Sequence, residues 1–520
     1  MLASRERQRS LLPALAAAIF ALSSLFVGAA SASPSPSDFT VHSISVNHEL
    51  GGAHHKLSQL HLVQQPDDPA QGKKYYIGLS AAEASSLSQN EVNLKFGPGV
   101  EPFQRATTSL RAEGSVASSA GSADLTHLYS IDLPENFLEK SPEGIATPNI
   151  TISIDFLFHR LASPLPKLIG QTDSASLLWE GDSVPRTPYG ANKVRVKART
   201  PTSQIHSYNL APSFPDDAEL MTKSGATITV GPQVNVQSIL TSPDIQQLRV
   251  HYGYESPIVS IVDLQRHVEV SHWGDNLAFQ DRVWIRNDGP GLKGHFSRVE
   301  HQLGAFLKRP SKNLLTDFSI ILPSGAKDAY FIDQIGNVST SAFRGTPPNA
   351  AHITKPAYQL PADQASYLHL QPRYPLMGGW NYTYEVGFNL PLSKGGWLRS
   401  LKKGNQYTVA VPFYSAVRDM PASKVKTRIV LPEGATPISV HVPFEADSVE
   451  NEVYTTYLDT IGRPAVVIEK SRAGEAEAAN VYVQYEMAAG ADLLKPFVVT
   501  NVALLLFIGA VAMRKLQARG

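Results

Sequence analysis

LQRHVEVSHWGDNLAFQDRVWIRNDGPGLKGHFSRVEHQ, residues 264–302, holds two short runs that alternate with period two. In Arg266–His272, Val268 and Val270 alternate with His267, Glu269 and Ser271. In Asp281–Ile285, Val283 and Ile285 alternate with Arg282 and Trp284. Successive side chains of a strand point to opposite faces, so each run predicts a strand with one apolar, half-buried face. Trp273-Gly274-Asp275 interrupts the first run, and Asn287-Asp288-Gly289-Pro290-Gly291 closes the second with turn-forming residues. The stretch reads as strand, turn, strand, and it lies just past mid-chain, where a second domain would begin.

The same alternation recurs on both sides. On the N-terminal side it predicts strands at Thr40–Val46, Leu57–Val63, Val92–Phe96, Lys193–Arg199 and Leu248–Tyr252. Ile150–Phe158 is the clearest, with Ile150, Ile152, Ile154 and Phe156 on one face and Thr151, Ser153 and Asp155 on the other. On the C-terminal side, Phe318–Leu322, Tyr367–Leu370, Tyr382–Phe388, Tyr407–Pro412, Val425–Leu431, Ile438–Val442 and Val481–Tyr485 follow at intervals filled by turn residues. A short helix is expected within Ala81–Gln89 and a low-complexity loop over Glu113–Ala123. A Gly/Pro/Ser/Thr-rich inter-domain region is expected over Thr222–Asp244. ILPSGA (321–326) and VLPEGA (430–435) are either a trace of duplication or two uses of a common strand exit.

A chain of 520 residues exceeds what one core organises. The expected fold is mainly β: two tandem β-sandwich-like domains over residues 33–243 and 244–490, followed by one transmembrane helix. Leu11–Val27 is an apolar run after Arg5, Arg7 and Arg9, and Ala30-Ser31-Ala32 fits a cleavage site, so residues 1–32 are expected to be a signal peptide. Phe497–Met513 carries no charge; its 17 residues make about 26 Å of helix, near the lower limit for a bilayer core. Arg514, Lys515 and Arg519 follow it, so a transmembrane helix over 496–513 and a cytosolic tail over 514–520 are expected, with the bulk of the chain lumenal. Thr500 and Asn501 are the polar residues in that segment and the candidates for hydrogen bonds to a neighbouring helix; position near the lumenal interface accounts for them equally well.

Net charge is +0, which gives no electrostatic footprint for nucleic acid. The absence of cysteine removes thiol nucleophiles, thiolate metal sites and disulfides together. Phosphate loops, His-Glu-x-x-His pairs and Gly-x-Ser-x-Gly elbows are missing, so no catalytic residue, cofactor or metal ligand is expected. Five histidines between His42 and His61 lack carboxylates at ligand spacing and are read as solvated strand and loop residues. Three Asn-x-Ser/Thr triplets, at Asn149, Asn337 and Asn381, are candidate glycan acceptors if the chain is lumenal.

EVSHWG (269–274) and LKGHFSR (292–298) resemble the ribophorin I family, a subunit of the oligosaccharyltransferase complex of the endoplasmic reticulum. Further similar stretches follow in the family's order: PLPKLIGQTDSASLLWEG (164–181), LRVHYGYESP (248–257), ILPSGAKDAYF (321–331), DQIGNVSTS (333–341), PRYPLMGGW (372–380) and YLDTIGRP (457–464). The resemblance implies an accessory, non-catalytic role beside a multi-spanning catalytic subunit, in the transfer of an oligosaccharide from dolichyl diphosphate to asparagine. The implied partners are the other subunits, the bilayer and nascent polypeptides. A type I cargo receptor or adhesion-type binding protein is the alternative. Only the triplet at Asn337 falls within a stretch that resembles the family.

Overall fold

The computed structural model describes residues 39–64, 74–96, 106–108, 110–117, 125–133, 149–214, 217–237, 240, 246–307, 312–346, 355–361, 364–401, 405–456, 459, 461–488 and 490–517. The expected signal peptide over 1–32 lies outside them. The protein is mainly β, with a single long helix, Ala491–Gln517, at the C-terminal end of the described chain.

Two hydrophobic cores organise the strands. The first draws on residues from Phe39 to Ile258 and the second on residues from Val259 to Met487. Along the sequence the two cores part between Ile258 and Val259. The reason is the strand Gln247–Gly253, which pairs with Ser176–Asp182 and buries Leu248, Val250 and Tyr252 in the first core. The first part of the expected inter-domain region supplies a hairpin, Met221–Ser224 with Thr227–Val236, at the edge of the first large sheet; residues 238, 239 and 241–244 lie outside the described residues. Gly and Thr there serve a tight turn, with Gly225 at φ +59°, and not a linker.

The opening stretch forms the centre of the second unit. Val259–Ser271 and Asn276–Asn287 pair antiparallel; the first begins earlier than the alternation predicts, and the second is longer at both ends. Leu264, Val268 and Val270 face the core together with Leu277, Phe279, Val283 and Ile285. The phase of the alternation also places Arg266 and Asp281 on that inner face, directly opposite each other. They form a bidentate ion pair, with Nε–Oδ1 at 2.7 Å and Nη2–Oδ2 at 2.5 Å, and Arg266 also donates to the Pro412 carbonyl at 2.9 Å. Phe279 lies under the guanidinium, 5.1 Å from it to the ring centre.

The two units share one topology. In the second, Val259–Ser271 pairs antiparallel with Asn276–Asn287 on one side and parallel with Ala422–Val430 on the other. In the first, Thr40–Glu49 pairs antiparallel with His54–Gln64 and parallel with Ala191–Arg199. Outward from these, His54–Gln64, Asn149–His159 and Leu87–Phe96 correspond to Asn276–Asn287, Asn381–Pro391 and Lys327–Asp333. Each unit completes its core with a four-stranded and a three-stranded sheet whose orders also correspond, strand for strand. The duplication thus spans whole units. The Leu-Pro-x-Gly-Ala pair is unrelated to it: the two copies leave non-equivalent strands, and both are turns with a left-handed glycine, Gly325 at φ +82° and Gly434 at φ +81°.

Other local expectations change in the folded chain. The predicted helix is confined to Ala81–Ser86, capped by Ser80 and Glu83, because Leu87 already enters a strand. The low-complexity loop begins as a strand, Leu110–Ala117, paired with Leu125–Asp132. Three of the histidines read as solvated, His48, His55 and His61, are buried. Burial pushes His55 and His61 down to about 3, so both are neutral. His48 Nδ1 lies 3.0 Å from His55 Nε2, and His61 bridges Tyr75 at 2.8 Å and Gln59 at 3.0 Å.

The two units abut along their length. Leu168–Ile169 pairs in parallel with Gly291–Leu292, Arg160 reaches Asp288 at 3.2 Å, and Gln89 donates to Glu477 at 2.6 Å.

Candidate functional site: the junction between the second unit and the apolar helix

The last strand of the second unit, Asn480–Met487, runs into the helix through Gly490 at φ +80°, a turn that favours glycine. The first turn of the helix rests on the Pro432–Ala435 turn: the Ala488 amide donates to the Gly434 carbonyl at 3.1 Å, and a Cβ on Gly434 would sit 2.7 Å from that of Ala491. From this seat Lys495 reaches back to two acidic side chains of the unit, Asp459 Oδ1 at 2.5 Å and Glu433 Oε2 at 3.5 Å. Arg463 shares the Asp459 carboxylate at 3.2 Å and continues to Glu269 at 3.3 Å. Thr456 closes the other oxygen of Asp459 through its amide at 2.7 Å and its hydroxyl at 2.6 Å. The Asp459 side chain is fully buried and that of Glu433 is 5% exposed, whereas Lys495 is about a third exposed at 36%.

This network ties the helix to the body of the protein at the point where the helix departs. Burial alone would push the Asp459 carboxyl up, but hydrogen bonds from Lys495 and Thr456 and the charge of Arg463 outweigh it and hold it well below 3.8. A depressed carboxylate contributes its stability fully above its unfolded value of 3.8 and loses it as the pH falls through the lower folded value. Replacing Lys495 by methionine is expected to cost about 1–2 kcal/mol, a buried-pair loss reduced by the partial exposure of the lysine. The gap in melting temperature between the parent and the Lys495→Met chain should stay constant from about pH 8 to pH 5 and narrow only below about pH 4, measured in the same detergent.

Beside the network lies a cavity of about 260 Å³ lined by Val270, Trp273, Pro432, Glu433, Lys495 and Pro496, among others. Its lining mixes apolar side chains with the charged groups of Glu433, Arg463 and Lys495. A second concavity, about 370 Å³, crosses the open face of the seven-stranded sheet among His267, Arg282, Glu385, Lys426, Arg428 and Tyr454. Its cations are already paired, Arg282 with Glu385, Lys426 with Glu469 and Arg428 with Glu452. Among the described residues no group of three or more His, Asp or Glu side chains is placed to hold a metal ion.

The helix beyond the junction contains the predicted span: the most apolar 18-residue window within Lys495–Gln517 has a mean hydropathy of 2.2, and none of it is buried against the protein. Thr500 is exposed on its surface, and the Asn501 amide donates to the Phe497 carbonyl of its own helix at 2.7 Å. Of the three sequence triplets, Asn337 is exposed after the Lys327–Asp333 strand, and Asn381 is exposed at the start of Asn381–Pro391. Both lie against one segment: Arg373 donates to the Asn337 carbonyl at 2.9 Å, and Tyr374 to that of Asn381 at 3.0 Å. The backbone of Asn149 begins a strand paired with His54–Gln64. The junction was absent from the sequence-based site residues. Its one local signal is Lys495, a cation directly before Pro496 on the end of the apolar run opposite Arg514 and Lys515.

A subunit 1 of dolichyl-diphosphooligosaccharide–protein glycosyltransferase from Caenorhabditis elegans is 32% identical over 324 residues, 62% of this chain and 49% of that protein. This chain thus spans about half the length of the nematode relative. Proteins named subunit 1B of the same glycosyltransferase are 28% identical in Arabidopsis thaliana, covering 72% of this chain and 73% of the relative, and 26% identical in Oryza sativa, covering 83% and 85%. A family model described as Ribophorin I matches residues 41–514, through both β units and into the end of the apolar helix. The chain belongs to the ribophorin I family.

Proposed function

We propose that this protein is an accessory, non-catalytic subunit of the oligosaccharyltransferase complex of the endoplasmic reticulum membrane. The observation that carries the reading is the family match running through both β units and the anchor, together with relatives named as subunit 1 of the glycosyltransferase. In this reading Lys495–Gln517 crosses the bilayer, both β units stand on the lumenal side, and oligosaccharide transfer takes place on a multi-spanning partner subunit. The units form a stiff support because their contacts are distributed, and the Lys495–Asp459 clamp fixes that support to the anchor. Thr500 and Asn501 meet the helices of the partner; Thr500 offers the more available group, since Asn501 already bonds within its own helix. Ser448–Tyr454 is the edge of the seven-stranded sheet, and an extended nascent chain adds to that edge as a further strand.

A mild-detergent pull-down of the tagged chain from microsomes tests the assignment. Recovery of a multi-spanning subunit with oligosaccharide transfer in the eluate is the expected result. A chain recovered alone, while transfer activity stays in the unbound fraction, overturns it and favours a type I cargo receptor. Crosslinkers placed along Ser448–Tyr454 that never capture nascent polypeptide would remove the strand-addition step alone.

The lumenal orientation makes Asn149, Asn337 and Asn381 glycan acceptors. Asn337→Gln and Asn381→Gln are each expected to remove one endoglycosidase-sensitive step in gel mobility with little change in stability, because both side chains are exposed.

A further inference from the structure

We propose that the hairpin tip carrying Trp273 is a membrane-contact element, with the indole seated in the headgroup layer of the leaflet that the helix enters. The inference rests on the reading that Lys495–Gln517 spans the bilayer. Depth follows from the helix. Lys495 stands two residues before Phe497, the first of the charge-free run, which is about 3 Å along the axis. The polar layer on each side of a bilayer is roughly 5–7 Å thick, half the difference between its total and hydrocarbon thickness. Trp273 lines the same cavity as Lys495 and Pro496, so it lies at headgroup depth.

The chemistry of the tip suits that layer. Trp273 is 71% exposed, and an indole joins a large apolar body to one N–H donor, which is why tryptophan collects at membrane interfaces. Two more exposed apolar side chains share this end of the unit. Leu493, on the first turns of the helix, is 66% exposed. Ile461 is 69% exposed, on a turn whose amide donates to Glu433 at 2.8 Å. Between the tips Lys495 and Arg463 are both engaged by carboxylates, those of Asp459, Glu433 and Glu269. A surface of zwitterionic phospholipid therefore fits without an anionic lipid.

The duplicated topology supplies an independent argument. The equivalent hairpin tip in the first unit is Gly51-Gly52, which docks on the segment leaving that unit: Tyr252 donates to the Gly51 carbonyl at 2.8 Å, and a Cβ on Gly52 would lie 2.5 Å from the Tyr254 ring. In both units the first hairpin tip meets the segment leaving its unit. In the first unit the neighbour beyond is protein and the tip is glycine. In the second it is the membrane helix and the tip is tryptophan.

The test uses the full chain reconstituted in phosphatidylcholine vesicles, with resistance to alkaline extraction verifying integration in the same sample. Acyl-brominated phosphatidylcholine is expected to quench a component of the tryptophan emission that is missing from the Trp273→Phe chain, while aqueous iodide leaves that component unchanged. Because the protein has no cysteine, Trp273→Cys, Ile461→Cys and Ser448→Cys each create a single thiol for a spin label. Labels at the first two should collide more with oxygen than with an aqueous nickel chelate, and the label at Ser448→Cys the reverse. In an integrated chain, a Trp273 component quenched by iodide and not by brominated lipid, or a label there that behaves like the one at Ser448→Cys, overturns the membrane contact. Extraction of the chain by alkali overturns the spanning helix itself, and the contact with it.

Discussion

Arg266→Met is expected to destabilise the second β unit by about 3–5 kcal/mol, the usual cost of stripping one partner from a buried ion pair. The Arg266 side chain is inaccessible and that of Asp281 is 5% exposed, so the carboxylate left behind has no route to water. Its loss also removes donors from the Pro412 carbonyl and from Ser415, on the chain that crosses to the four-stranded sheet. A paired substitution separates the pair from its environment. Arg266→Met with Asp281→Leu is expected to recover most of the loss, since an apolar pair of similar volume replaces a buried ion pair at little or no cost. Denaturant unfolding of the full chain in detergent, followed by near-ultraviolet circular dichroism, reads both. A double variant as unstable as the single one would mean that the hydrogen bonds to Pro412 and Ser415, and not the charge pair, hold the strands in place.

Gly378→Ala is expected to cost about 3 kcal/mol, at the upper end of overpacking effects, because the obstacle is backbone. A Cβ at Gly378 would lie 1.9 Å from the Pro290 carbonyl oxygen and 2.7 Å from its carbon. The Gly289–Gly291 turn cannot withdraw freely. Asn287, fully buried, donates to the Leu376 and Asn313 carbonyls at 3.0 Å, and its own carbonyl accepts from the Gly379 amide at 2.8 Å. The turn also carries the strand shared between the units, where the Gly291 amide donates to the Lys167 carbonyl at 2.8 Å. The variant should therefore loosen the two units from each other as well as lower the melting temperature. Faster proteolysis near the boundary between the units, compared with Arg266→Met at matched stability, is the expected signature. Equal proteolysis in the two variants would place the strain within the second unit alone.

The contacts behind these two expectations differ in how far local pattern reveals them. Alternation along residues 264–302 put Arg266 and Asp281 on the same face as Val268, Val270 and Val283, and only the pairing register was needed to bring the two charges together. The close approach of Gly378 to Pro290 had no such signal, since the two are 88 positions apart (378 − 290) and MGGW and NDGPG each read as an ordinary turn.

Elsewhere the division falls in the same place. Most strands with one buried face, and the apolar helix, depend on neighbours in the chain, so period and composition were sufficient to find them. Arg463–Ala473, whose Ala465–Ile468 run is buried on both faces, escaped because a strand without alternation has no period to detect. Burial of His48, His55 and His61 escaped as well, because a histidine looks polar until a partner across the sheet satisfies it. The order of side chains along the chain was enough to mark most half-buried strands and the segment apolar enough to enter a membrane. What only the tertiary structure decided is which strands meet: the shared topology of the two units, contacts such as Gln89 to Glu477 across 388 residues, and the seating of Lys495 on Asp459 beside the Trp273 tip. Those pairings are chosen by the packing of whole sheets, and no short stretch of chain carries them.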